Sequence, residues 1–160
     1  MKMLVLLAGK IKPKTLASAQ ETYANRLKPF GVELAEYKDA AVSARQPEQT
    51  KDAEAERILK QLKPGDYLVA CDERGHAIKT SQLADAIRSA RQGEDPFSGR
   101  KRIVIVVGGA LGLSESIRQR ADAVWALSSL VMAGGVARIV LLEGLYRAYT
   151  VVENHPYHNE

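Results

Sequence analysis

The chain has 160 residues, 46% of them hydrophobic and 26% charged, with a formal net charge of +4. That length is a prior for one domain with one real core, and the composition excludes a disordered chain, a collagen and a disulfide scaffold. The modest positive excess permits a polyanionic partner without requiring one. The lone cysteine, Cys71, excludes an internal disulfide, and with it any need for an oxidising compartment.

The N-terminal run Met3-Leu4-Val5-Leu6-Leu7-Ala8 is too short to span a membrane, and Gly9-Lys10-Ile11-Lys12 follows it with no small-residue cleavage site. It reads as a buried strand of a cytoplasmic protein. Pro13 to Leu27 reads as a helix, with Leu16, Ala19, Tyr23 and Leu27 near helical spacing, and Val32 to Tyr37 as a second strand. Pro47 suits the first turn of a helix with an Ala55, Ile58, Leu59 and Leu62 stripe, stopped by Pro64-Gly65.

Leu68 to Cys71 is the next strand. Thr80 is the expected cap of a helix whose apolar face is Leu83, Ala84, Ile87 and Ala90, and Gly93 to Gly99 is a turn-rich loop. The β-branched run Ile103 to Val107 reads as a strand buried on both faces, in the middle of a parallel sheet. A glycine turn, a short helix from Ser114 to Arg120, a strand from Ala123 to Leu127 with Trp125 in the core, and a helix from about Val136 to Val152 complete the pattern. Strands alternating with helices define an α/β fold with a mainly parallel sheet, and no interdomain linker interrupts residues 1–160.

Ligands of open α/β sheets bind beyond the carboxyl ends of the strands, and two such ends carry unusual residues. Gly108-Gly109-Ala110-Leu111-Gly112 follows the Ile103–Val107 strand directly. It fits neither a dinucleotide fingerprint nor a phosphate-binding loop ending in Gly-Lys-Ser/Thr. It is either a tight strand-to-helix turn or a loop that brings backbone N–H groups up to a ligand. Cys71-Asp72-Glu73-Arg74-Gly75-His76 reads on its own as a solvated loop, with nothing at a spacing that marks Cys71 as a nucleophile.

The last helix is apolar on most sides, through Val136, Ile139, Val140, Leu141, Leu142, Leu145, Tyr146, Ala148, Tyr149, Val151 and Val152. One small domain covers one side of such a helix, so a homodimer is expected to cover another. Glu143 and Arg147 stand at i, i+4 in the favourable order, offering an ion pair or, as a site, an acceptor and a phosphate-binding fork. His155 and His158 lie three apart in the tail with no Cys or carboxylate cluster to complete a metal site, so no metal is expected.

Several of these segments, in this order and spacing, resemble the RlmH family of SPOUT-superfamily methyltransferases along the whole chain. They are Leu4 to Lys10, Asp72-Glu73-Arg74-Gly75, Val106-Val107-Gly108-Gly109 with Leu111-Gly112-Leu113, Leu127-Ser128-Ser129-Leu130, Arg138 to Ala148, and the terminal Asn154-His155-Pro156-Tyr157-His158. The resemblance implies an α/β fold with a deep C-terminal trefoil knot, a topology that sequence patterns alone never predict. It implies a homodimer and methylation of N3 of a pseudouridine in a stem-loop of large-subunit ribosomal RNA, within the assembled ribosome.

By the same resemblance S-adenosyl-L-methionine is the methyl donor, held by Cys71, Gly108, Gly109 and the stretch Leu127, Ser128, Ser129, Leu130, Val131 and Met132. Arg138, Tyr146, Arg147, His155, Tyr157 and His158 match the family's pattern near the target base. The chemistry also asks for a group to take the N3 proton, for which Glu143 and His158 are the candidates.

One departure stands out: where the family usually has Thr, an apolar residue and Pro-His, this chain reads Val131-Met132-Ala133-Gly134-Gly135. Losing Pro and gaining two Gly is expected to loosen the loop. Three other readings stay open at this level. They are a ribosome- or donor-binding homologue without catalysis, a related methyltransferase with another RNA target, and a nucleotide-binding α/β protein unrelated to RNA.

Overall fold

A computed structural model of the chain describes residues 1–40 and 46–157. Five strands form one sheet: β1 (Lys2–Ala8), β2 (Val32–Tyr37), β3 (Asp66–Ala77), β4 (Arg102–Val107) and β5 (Ala123–Ala126). Their order is β2-β1-β4-β3-β5 and every pairing is parallel. Four helices connect them, α1 (Lys14–Leu27), α2 (Pro47–Leu59), α3 (Thr80–Gln92) and α4 (Glu115–Arg120), and α5 (Gly134–Val152) follows β5.

The β-branched run of β4 lies at the centre of the sheet, between β1 and β3. Its alternate residues face opposite layers, as the period of a strand requires. Ile103, Ile105 and Val107 join Val5, Leu7 and Val69 under α1, α3 and α5, where Leu83, Ile87, Leu142, Leu145 and Tyr149 close the layer. Val104 and Val106 join Leu4, Leu6, Leu68 and Ala70 on the other face, under Ala55 and Ile58 of α2 and Ile117 of α4. The expected strand buried on both faces is thus this one. The apolar α5 is wedged against both α1 and α3, which explains why most of its circumference is hydrophobic.

Four expectations need correction. Leu59 is 42% exposed, because α2 turns Thr50, Glu54, Ala55 and Ile58 inward instead. The cap of α3 is Lys79, whose backbone N–H donates to Gln82 Oε1 at 2.9 Å, and Thr80 is already helical. The segment from Cys71 to His76 is no loop: β3 continues through it, and a register shift lets both Cys71 and His76 pair with Trp125 of β5. Trp125 sits on that edge strand and is only half-buried. The shift needs Gly75, where a Cβ would lie 2.6 Å from the Val124 carbonyl oxygen.

Candidate functional site

The carboxyl end of β4, the Cys71–Arg74 stretch of β3 and the chain that follows β5 line one cleft of about 430 Å³. From β4 the chain turns through Gly108 to Gly112, closed by a bridge between Gly109 and Gly112, and Gly112 has φ +76°. A Cβ on Gly108 would stand 2.8 Å from the Gly112 carbonyl carbon, so the turn tolerates no side chain there. Ser114 then caps α4, its hydroxyl accepting the Ile117 N–H at 3.3 Å.

Cys71, Gly108, Gly109, Leu127, Ser128, Leu130, Val131 and Met132 all line this cleft, joined by Asp72, Arg74, Ala133, Gly134 and Ala137. Ser129 does not line it. Ser128 Oγ accepts the Leu130 N–H at 2.9 Å, which folds the loop back on itself before α5 starts. The double glycine of that loop also has a packing role. A Cβ on Gly135 would lie 3.1 Å from Leu16 Cδ1, so the chain passes close over α1 at this point. Desolvation pushes the Cys71 thiol up to about 12. It is therefore protonated at neutral pH and serves as wall rather than nucleophile.

At the rim, Asp72 gathers two arginines. Arg74 donates from its backbone N–H and from Nε and Nη2, and Arg118 donates from Nη1 at 3.2 Å. Desolvation opposes the charge on Asp72, but the Arg74 hydrogen bonds and the two positive charges outweigh it and hold the carboxyl below its usual range. Arg118 was absent from the sequence-level site. Nothing in its spacing marks it, since its partner lies 46 residues away on another element.

Arg138 does not face solvent. It is buried, and its guanidinium donates to the carbonyls of Ala8 and Gly9 at the end of β1. Desolvation lowers its pKa against the influence of Glu36, Tyr37 and Asp39. In this conformation it ties α5 to β1 rather than presenting a cation to a ligand.

The remaining candidates gather elsewhere, where α5 packs on α1. Arg147 binds Glu143 Oε1 through Nη2 at 2.6 Å and Nε at 3.0 Å. Tyr157 meets Tyr146 edge-to-face at 4.7 Å, with the Arg147 guanidinium 5.2 Å from the Tyr157 ring centre. Tyr23 and Arg26 of α1 complete the group. Tyr23 reads in the sequence as part of an apolar stripe, and only the packing of α1 on α5 reveals its second role. His155 is exposed, its Nδ1 accepting the Tyr157 N–H at 3.3 Å. His158 lies outside the described residues. Among the described residues no group of three His, Cys, Asp or Glu side chains is placed to hold a metal ion, and no helix is long and apolar enough to cross a membrane.

Cleft and cluster are separated along α5. Ala137 lines the cleft, while Arg147 stands ten residues on, roughly 15 Å along the helix axis. Leu130 and Val131 of the cleft wall and Val136 and Val140 of α5 are exposed apolar side chains. Val136, Val140 and Gly144 share one helical face, and nothing lies within 4 Å of a Cβ built at Gly144.

A parallel α/β sheet with a glycine turn leading from its central strand, and a ligand-sized cleft at that strand's carboxyl end, defines the class. The chain belongs to the SPOUT methyltransferases: its residues 1–158 match the family described as predicted SPOUT methyltransferase. It is therefore an enzyme that transfers a methyl group from a donor. Its relatives include the ribosomal RNA large subunit methyltransferase H of Methylobacillus flagellatus, 41% identical with all of both chains covered. The protein of the same name from Burkholderia cenocepacia is 38% identical over 99% of each chain, and that of Desulforamulus reducens 32% over 98%.

Proposed function

We propose that this chain is a cytoplasmic S-adenosyl-L-methionine-dependent methyltransferase that modifies N3 of a pseudouridine in large-subunit ribosomal RNA. It acts as a homodimer on the assembled ribosome, each chain one domain with its C-terminal part threaded as the family's trefoil knot. The observation that carries this reading is the cleft in which the glycine turn after β4, the Cys71–Arg74 stretch of β3 and the Leu127–Met132 loop meet. Relatives that share the whole chain length all bear a ribosomal RNA methyltransferase name.

The cleft residues fit the donor. Gly108 and Gly109 leave the floor open to a flat ring and put backbone N–H and C=O groups within reach of it. Leu127, Leu130, Val131 and Met132 supply apolar walls for such a ring, and the volume of about 430 Å³ lies in the usual range for a small-molecule site. When bound, the donor supplies an electrophilic methyl group on sulfur.

The protein's task is then alignment and proton removal. The Glu143–Arg147 pair and the edge-to-face Tyr146 and Tyr157 form an aromatic, polar-edged surface suited to a base and its phosphates. The roughly 15 Å along α5 between this surface and the cleft of the same chain favours a site built from two chains. The cluster of one protomer would face its partner's cleft across the apolar strip of Val136 and Val140. Glu143, and His158 of the tail, stay the candidates for accepting the N3 proton.

The test is methyl transfer from labelled S-adenosyl-L-methionine to ribosomes lacking the modification, with free ribosomal and transfer RNA alongside. Label recovered from ribosomes as N3-methylpseudouridine supports the reading. Label in transfer RNA or in a ribose overturns the assigned target. Donor binding without transfer to any RNA leaves only a donor-binding homologue.

A further inference from the structure

The tyrosine cluster contains a cation that the catalytic reading does not use. The Arg26 guanidinium carbon lies 5.5 Å from the ring centre of Tyr23, 5.4 Å from that of Tyr146 and 5.9 Å from that of Tyr157. The side chain is exposed. None of the ion pairs among the described residues includes it. Other arginines differ: Arg147 is held by Glu143, Arg118 by Asp72 and Arg102 by Asp66. A basic residue in the last turn of a helix also complements the helix dipole. That role needs only a positive charge, and does not account for three aromatic rings around one guanidinium.

Rings that contact a guanidinium attract its charge while its N–H groups project from the plane's edge. Arg26 is thus oriented by its rings and keeps donors free for an acceptor from outside. The hydrogen bond to Tyr157, together with burial, pushes the Tyr23 hydroxyl up to about 12. Tyr23 therefore stays neutral and does not compete as an anion for Arg26. The nearest carboxylate of the cluster, Glu143, is engaged by Arg147. An orientated guanidinium with no ion-pair partner among the described residues, beside tilted aromatic rings, is suited to a phosphate oxygen next to a base that packs on those rings.

We propose that Arg26 is a substrate-binding residue that holds a phosphate of the target RNA against the Tyr23–Tyr146–Tyr157 cluster. The proposal rests on the RNA-methylating reading above and adds a contact from α1 to it. Binding to assembled ribosomes lacking the modification is measured over a series of salt concentrations for the wild type, Arg26→Ala and Arg26→Lys. Losing one phosphate contact lowers the slope of log affinity against log salt by about 0.7 to 0.9. That loss is expected in Arg26→Ala, with a raised KM for RNA, an unchanged KM for S-adenosyl-L-methionine, and recovery of the slope in Arg26→Lys.

An unchanged slope in Arg26→Ala overturns the proposal, and Arg26 then only arranges Tyr157. A raised donor KM with an unchanged slope overturns it too, by moving the contact to the donor. Should Arg26→Ala not fold, Arg26→Gln gives the same slope comparison. A wild-type protein with no salt-dependent affinity for the ribosomes overturns the functional reading itself, and this assignment with it.

Discussion

Arg118 of α4 donates from one Nη1 to both Asp72 of β3, at 3.2 Å, and the carbonyl oxygen of Leu113, at 2.7 Å. One side chain thus fastens the end of the glycine turn to the neighbouring strand, and the cleft floor between them takes its shape from that brace. Arg118→Met removes the brace and leaves the Asp72 carboxylate, 5% exposed, with Arg74 alone. A charge-assisted hydrogen bond is worth about 1.5 to 3 kcal/mol, so donor affinity measured by calorimetry should fall by roughly tenfold or more. Arg118→Lys should recover part of it. Wild-type affinity in Arg118→Met would mean that the turn keeps its shape through its own bridge.

Asp66 predicts how the fold responds to acid. Its carboxylate is buried at the start of β3, where desolvation opposes the charge but the Arg102 side chain and the Lys63 N–H together hold it below its usual range. A depressed carboxyl contributes stability that is fully present above the unfolded-state value of about 3.9 and is lost as pH falls through the lower folded value. Asp66→Asn should therefore cost about 1 to 3 kcal/mol at neutral pH, with the deficit shrinking only below about pH 4. Urea unfolding of both proteins from pH 3 to 8 measures this. A deficit that does not change with pH would assign the loss to packing.

Gly75 carries the register shift that lets β3 run past the cleft. A Cβ there meets Val124 oxygen at 2.6 Å and the Trp125 carbonyl carbon at 2.8 Å, both rigid backbone of β5. Gly75→Ala must push β5 away from β3, at about 1 to 3 kcal/mol. In a chain of this size that lowers Tm by several degrees, at about 2 to 4 °C per kcal/mol. An unchanged melting curve would show that the edge strand shifts freely.

Most of this frame is legible in the sequence because each signal is local. The run Ile103 to Val107 has one reading, a strand covered on both faces, and β4 is the centre of the sheet. The glycine turn is marked by its own composition, yet residues 108 to 112 do not say that a Cβ at Gly108 would strike Gly112. The end of β3 was misread because Asp72, Glu73 and Arg74 look like a solvated loop. Arg118, which shares the Asp72 carboxylate with Arg74, comes from another element that no local pattern predicts. Arg138 illustrates the opposite limit: the family resemblance puts it near the target base, but its partners here are backbone carbonyls 129 and 130 residues away. Tyr23 and Arg26 stayed hidden for the same reason, since their cluster exists only once α1 lies on α5.

The two-chain site makes a prediction that no single-chain site shares. Gly108→Val should block the cleft, because even a Cβ there reaches Gly112. Arg147→Ala should disable the cluster by removing the partner of Glu143 and the cation beside Tyr157. Each homodimer should lose methyl transfer by about a hundredfold or more, as for a lost charged contact in the transition state. In a mixed dimer of the two, one site receives both lesions and the other receives neither, as two-fold symmetry requires. Unfolding and refolding an equimolar mixture yields about half mixed dimers, so activity should return to about a quarter of wild type. Both variants must first elute as folded dimers, Gly108→Val with whatever loss of Tm its strained turn brings. Were cleft and cluster of the same chain to act together, every site in the mixture would carry a lesion, and no activity would return.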